Sequence, residues 1–501
     1  MKYLILVYTL PCEGIDVAFD SDWQALSLTE QTAEDRIMSI MAHYDVAVIG
    51  TGPAGHHAAI QAAKQGKRVV AIEQKKPVGG VCFNSGTIPS KTLREAVLYL
   101  TGFRQRGIYG VSYTLKPDIG IQDLIFRCDQ VVNNEIEVLL AQFARNDVDI
   151  LFGVASFEDE HTLRVAGSTV ADRVTADYVI IAAGTAPAHS PLVPVNGASI
   201  IDSDTLFQLA SLPKTMMVVG GGIIGLEYAC IFAALGSSVT LVDMHTKVLE
   251  FVDEEIREAL LFHMREEGVT FRLGEEVSEV VERNGHVVAH TKSNKTISAD
   301  CLLYTVGRQG NTADLNLEAV GLQTDPRGRI KVNEFFQTDV PHIYACGDVV
   351  GFPALASSSM EQGRLAAGHA LGKHEQPISP WLPYGIYTIP EISMVGQTEE
   401  QLTVDAIPYE FGIARYREIA RGQIIGDRNG LLKLLVHAEN RKILGVHILG
   451  EGATELVHIG QMLIGMGGTV DFLVENVFNY PTLAECYKVA ALNVYNKLGS
   501  S

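Results

Sequence analysis

Two glycine triplets and one cysteine-to-lysine segment carry residue types and spacings suited to chemistry. Gly50, Gly52 and Gly55, with Pro53 and Ala54 between them, form G-x-G-x-x-G at the end of an apolar run. That spacing permits a tight turn and lets backbone N–H groups approach a pyrophosphate at a helix start. The run VVAIE ends in Glu73, 23 residues after Gly50, where a carboxylate can accept hydrogen bonds from ribose hydroxyls. A second triplet, Gly220, Gly222 and Gly225, precedes VTLVD, which ends in Asp243. An acid at that strand end favours the free ribose of NAD over the 2′-phosphate of NADP, which normally pairs with arginine. His245 and Lys247 follow and either soften that discrimination or stand in a solvated loop.

Each triplet must be positioned by a strand and a helix. DVAVIGTGPAGHHAAIQAAKQG and TMMVVGGGIIGLEYACIFAALG both read strand-turn-helix, with Gly50 and Gly220 lying 170 positions apart. This is too wide for a solenoid repeat and suits two nucleotide-binding domains, each with its own parallel sheet. Residues 216–235 are apolar enough to suggest a membrane span, but three consecutive glycines and Glu227 within them point to a strand, a turn and a buried helix. After Gly372 the texture turns proline-rich and polar, reading as a linker into an α+β domain. There strands are expected at Leu431–Val436 and Ile443–Leu449, with a final helix from about Leu483 to Leu498.

Composition limits the partners. With 501 residues, 47% of them hydrophobic, the chain buries cores enough for about three domains. Its net charge of −20 lacks the basic footprint nucleic acid requires, so no nucleic-acid partner is expected. Seven scattered cysteines, Cys12, Cys82, Cys128, Cys230, Cys301, Cys346 and Cys486, argue against a secreted disulfide framework. A reducing, cytoplasmic setting and no membrane association are expected. The start MKYLILVYTLPCEG is short for a signal peptide, and residues 1–42 are read as an appended or mis-started extension, because the fold signal begins at Tyr44. The histidines, among them His56, His57, His374 and His458, lack ligand spacing, so no metal is expected and each reads as a surface or satisfied core residue.

GGVCFNSGTIPSK at residues 79–91 resembles the reactive segment of the pyridine nucleotide-disulfide oxidoreductases, the family of lipoamide dehydrogenase and glutathione reductase. The likeness covers about residues 43–498. It implies an α/β fold of two Rossmann-like dinucleotide-binding domains, for FAD and NAD(P), plus an α+β C-terminal dimerisation domain. The implied boundaries are residues 43–188 with 311–376 for FAD, 189–310 for NAD(P), and 377–501 for dimerisation. Family members form a disulfide between two cysteines five positions apart; this chain has Cys82 but Thr87. A hydroxyl cannot join a disulfide. Near the C-terminus FNYPTLAE puts Tyr480 where the family has an acid-base histidine before Pro-Thr, with Glu485 retained. A phenol ordinarily titrates near pH 10 and replaces imidazole poorly at neutral pH. GTIPSK combined with NYPT is similar to the soluble pyridine nucleotide transhydrogenases, of the Si-specific type.

The resemblance also implies site roles. Asp348, in IYACGD with Gly347, is expected to hold the flavin ribityl and pyrophosphate region. Gly80, Ser90, Leu355 and Ala356 are expected around the flavin; Gly184, Gly307 and Arg308 belong to the crossovers between the two nucleotide domains. Lys91 and Glu227 are expected to pair beside the reactive flavin nitrogen, and Tyr480 and Glu485 to reach the partner's site in a homodimer or higher homo-oligomer. The function so implied is ping-pong hydride transfer between NADPH and NAD through FAD, without a sulfur relay. Alternatives are an NADH-preferring diaphorase or oxidase, a reductase of the dihydrolipoamide dehydrogenase kind in which Cys82 pairs with Cys346 or Cys486, and a non-catalytic redox sensor.

Overall fold

A computed structural model describes residues 41–110, 113, 115, 116 and 118–499. The extension expected over residues 1–42 lies outside the described residues up to position 40. Its last two residues belong to the fold: the first strand spans Met41–Ile49, and its ladder pairs Met41 with Arg173 and Ala42 with Val174. The domain therefore starts two residues before the expected boundary, because the partner strand Arg173–Ile181 offers pairing groups along its whole length.

The first sheet runs in the order 149–152, 69–73, 41–49, 173–181, 162–166, 154–157, with 343–345 also pairing with 173–181. Its pairs are parallel from the 149–152 edge through 173–181 and antiparallel from there to the 154–157 edge. Val69–Glu73 is buried at every position, as a central strand covered on both faces must be. Helix Pro53–Lys64 packs on helix Ala356–Ala370 so closely that a Cβ on Gly363 would sit 2.0 Å from the Ala54 carbonyl. Residues 309 positions apart in the chain are thereby joined over one sheet.

Between those segments the chain builds a second sheet, five strands all parallel, in the order 270–273, 238–243, 215–219, 301–304, 200–202. Strand Thr215–Val219 and helix Ile223–Ala234 account for the apolar stretch. Nine of that helix's twelve residues are buried, each large apolar one contributing about 1.5–3 kcal/mol. No helix among the described residues is long and apolar enough to cross a membrane. The chain enters and leaves this unit through an antiparallel ribbon, Thr185–Pro187 with Arg308–Gly310. A small antiparallel sheet over residues 277–299 was not foreseen; its strands are short and half exposed, so their apolar pattern is weak.

The last unit is a five-stranded antiparallel sheet in the order 384–386, 392–396, 443–449, 431–437, 409–415. Two of its strands, Tyr384–Ile386 and Ile392–Gly396, lie in the segment read as a linker. Prolines flank them without occupying a ladder position that must donate. Helix Glu485–Leu498 closes the sheet, a Cβ on Gly412 falling 2.0 Å from the Ala490 carbonyl.

Candidate functional site

The two cradles have the same internal geometry. Gly50 has φ +105° and Gly220 φ +111°, backbone that disfavours any side chain, and a Cβ at Gly50 would meet the Ala182 carbonyl at 2.3 Å. Gly55 and Gly225 each face the carbonyl of the first glycine, where a Cβ would fall at 2.0 Å. The middle glycines differ in kind: a Cβ on Gly52 meets nothing nearer than 3.9 Å and one on Gly222 meets nothing within 4 Å. The first and third glycines serve the protein's own packing, and the middle one leaves room for something else. Each cap is the N-terminus of a helix, with free N–H groups.

Both strand-end carboxylates are tied to their turns. Buried Glu73 accepts from the Thr51 backbone at 3.0 Å, from the Thr51 hydroxyl at 2.5 Å and from the Lys75 backbone at 3.1 Å. Asp243 accepts from the Gly221 backbone at 2.5 Å and from the His245 backbone at 2.7 Å. The imidazole of His245 lies 2.9 Å from the same Asp243 oxygen, so that histidine is a partner of the acid and not a free loop residue.

A cavity of about 1040 Å³ connects the cradles. Of the expected site residues, Gly50, Gly52, Pro53, Ala54, Glu73, Gly80, Cys82, Thr87, Ser90, Lys91, Gly184, Gly222, Glu227, Gly307, Arg308, Gly347, Asp348, Leu355 and Ala356 line it. Gly55, Gly220, Gly225 and Asp243 do not; the glycines stand beneath the turns and Asp243 behind Gly221. Lys91 Nζ donates to Glu227 Oε2 at 2.6 Å across helices Thr87–Leu100 and Ile223–Ala234. Arg308 donates to the Thr185 hydroxyl and carbonyl, both at 2.7 Å, and braces the crossover ribbon.

Asp348 has only long contacts, Thr185 at 3.5 Å and Ser359 at 3.4 Å. Burial pushes its carboxyl above the ordinary value, against the pull of the Arg308 charge and those two hydroxyls. Such a carboxylate is undersupplied with donors and suits a polyhydroxyl ligand. That, together with the open middle glycine, is how the residues fit FAD.

The pattern of the pyridine nucleotide-disulphide oxidoreductases matches residues 44–363, and that of their dimerisation domain matches residues 382–491. The chain belongs to this family. Membership implies FAD and pyridine nucleotides as its ligands. The soluble pyridine nucleotide transhydrogenase of Mycobacterium bovis (strain BCG / Pasteur 1173P2) is 53% identical, over 91% of this chain and 98% of the relative. That of Klebsiella pneumoniae is 44% identical over 92% of this chain and 100% of the relative. Among solved structures, the HOCl-induced flavoprotein disulfide reductase RclA from Escherichia coli has a TM-score of 0.81 at 28% identity, covering 90% of this chain and 100% of that one.

Within this pyridine nucleotide-disulphide oxidoreductase the family's sulfur centre is altered. Cys82 stands in a short helix, Gly80–Asn84, and Thr87 opens the next one. Both side chains line the cavity. Burial pushes the Cys82 thiol up to about 11, although Thr87 and the Lys91 charge pull the other way. All six described cysteines are free, including Cys346 and Cys486, and both of those are fully buried.

Tyr480 is 70% exposed and lies outside this chain's cavity, as does half-buried Glu485, whose Oε2 is buried without a partner. Of the expected groups, these two and the four that stand behind the turns, Gly55, Gly220, Gly225 and Asp243, lie off the cavity, and the rest line it. His56 departs from its reading as a surface or satisfied residue: it is buried against Phe143 with Nε2 unpartnered, and burial holds it down to about 4.

One residue went unread. Tyr387 donates its backbone N–H to Glu227 Oε1 at 2.8 Å, and its ring covers the Lys91 ammonium at 4.8 Å. The only sequence signal was an aromatic just before Thr-Ile-Pro-Glu, which by itself marks nothing.

Proposed function

We propose that this protein is a soluble-type NAD(P)+ transhydrogenase, Si-specific, that moves hydride from NADPH to NAD by a ping-pong sequence through FAD without a redox disulfide. The observation that carries this reading is a free Cys82 thiol with a hydroxyl, Thr87, at the second sulfur position, both lining the cavity that joins two dinucleotide cradles. The names of the 53% and 44% identical relatives support the substrate pair. We assign residues 41–188 and 311–376 to FAD, 189–310 to the nicotinamide nucleotides and 377–501 to a homodimer interface.

FAD, when bound, supplies a ring that takes up a hydride and gives it back. The chain's work is position and charge. The turn at Gly50 and Gly52 seats one pyrophosphate, Glu73 accepts from its ribose, and Asp348 accepts from the polyhydroxyl linker. The turn at Gly220 and Gly222 seats the second nucleotide, with Asp243 toward its ribose. Lys91, locked to Glu227, holds positive charge in the cavity and steadies negative charge arising there. Since Thr87 closes the sulfur route, no thiol needs a proton carrier, and Tyr480 in place of a histidine costs nothing.

Stopped-flow mixing with each nucleotide tests the substrate pair. Both NADPH and NADH are expected to bleach the flavin, and NADPH is expected to support steady reduction of thio-NAD. Bleaching by NADH alone would leave an NADH-specific diaphorase or oxidase, and tight FAD with no turnover would leave a redox sensor.

A further inference from the structure

The Lys91–Glu227 pair joins two units of the fold, yet a third unit holds it in place. Glu227 is buried and has two carboxylate oxygens, of which Oε2 accepts from Lys91 at 2.6 Å and Oε1 from the backbone N–H of Tyr387 at 2.8 Å. With both oxygens engaged, the carboxylate cannot turn without losing a hydrogen bond in a buried site. On the lysine side, the Tyr387 ring lies under the ammonium at 4.8 Å, a favourable cation–π distance.

The strap that carries Tyr387 is itself pinned. Arg94, one turn beyond Lys91 on the same helix and almost wholly buried, donates through Nε to the Thr388 carbonyl at 3.0 Å. Next to the strap, Thr454 is fixed in turn, its hydroxyl and backbone N–H donating to buried Glu391. Lys91 therefore has one carboxylate oxygen, one aromatic face and the cavity around it.

We propose that Tyr387 is a positioning residue of the reaction centre, its ring fixing the Lys91 ammonium where it faces the flavin. The inference rests on the placement of FAD proposed above. The ring, and not the hydroxyl, is the working part, because it is the ring that lies against the ammonium and the backbone N–H survives any substitution.

The experiment compares holoenzymes carrying Tyr387→Leu, Tyr387→Phe and Lys91→Gln. Three quantities are read: the flavin reduction potential by spectroelectrochemistry, the flavin reduction rate at saturating nucleotide, and Tm. Tyr387→Leu is expected to move the potential negative and slow reduction about three- to tenfold, with KM within about twofold, as loss of one cation–π contact implies. Tyr387→Phe is expected to restore both, and Tm is expected to be similar in the two variants. The idea fails if Leu leaves the potential unmoved while Lys91→Gln shifts it, or if Phe behaves as badly as Leu. If Lys91→Gln too leaves the potential unmoved, the placement of FAD beside Lys91 falls, and this inference with it.

Discussion

Cys82 shows how one substitution at a distance of five residues reassigns a site. With Thr87 as its neighbour and burial holding the thiol near 11, only roughly a thousandth of Cys82 is thiolate at pH 8, too little for a nucleophile or a redox relay. Cys82→Ser is expected to keep kcat/KM for the NADPH-to-thio-NAD reaction within about threefold, since a packing role in a small-residue site is all that is lost. Iodoacetamide is expected to label Cys82 slowly at pH 8 and faster as pH rises toward 11, because the raised value delays the thiolate. A tenfold loss of turnover in the serine variant, or fast labelling at pH 7, contradicts that role. The residues read without help from family likeness were those whose backbone demands are severe, Gly50 and Gly220 at positive φ above all. Lys91 and Glu227 became visible only through a resemblance, and Tyr387 not at all, because it contacts Glu227 through a backbone N–H from 160 positions away.

At the level of elements, the strand-turn-helix units separate packing glycines from ligand glycines. Gly225→Ala drives a methyl into the Gly220 carbonyl at 2.0 Å and is expected to destabilise the protein by about 1–3 kcal/mol, visible as a lowered Tm without nucleotide. Gly222→Ala enters open space and is expected to leave Tm alone while raising the nucleotide KM about tenfold or more, because the methyl stands where a pyrophosphate approaches. Equal Tm for the two variants contradicts this division. Strong periodicity made such units legible, as it did the strands at residues 431 and 443, which begin where expected. Strands Tyr384–Ile386 and Ile392–Gly396 were missed since runs of three and five residues just after prolines read as loop, and only the neighbouring strand at 443–449 makes them a sheet.

Across the whole molecule, units are joined by buried charge as well as by apolar packing. Lys433, on a strand of the last sheet, is fully buried and reaches Asp253 at 3.0 Å and Glu399; Asp253 caps helix Glu254–Glu266 of the second unit. Lys433→Met strands the Asp253 carboxylate and is expected to cost about 3–5 kcal/mol, read as a fall in Tm, with partial recovery in the Lys433→Met, Asp253→Asn double variant. No such pairing was legible, because residues 180 positions apart carry no mark of their meeting. The three-unit plan was, since two glycine signatures and a change of texture after Gly372 divide the chain.

The central claim, hydride exchange between rings with no sulfur carrier, is tested most directly by anaerobic titration of the purified holoenzyme with NADPH while free thiols are counted. One equivalent per flavin is expected to complete the bleaching, with the thiol count unchanged. Uptake of a second equivalent per flavin together with two new thiols would contradict the account.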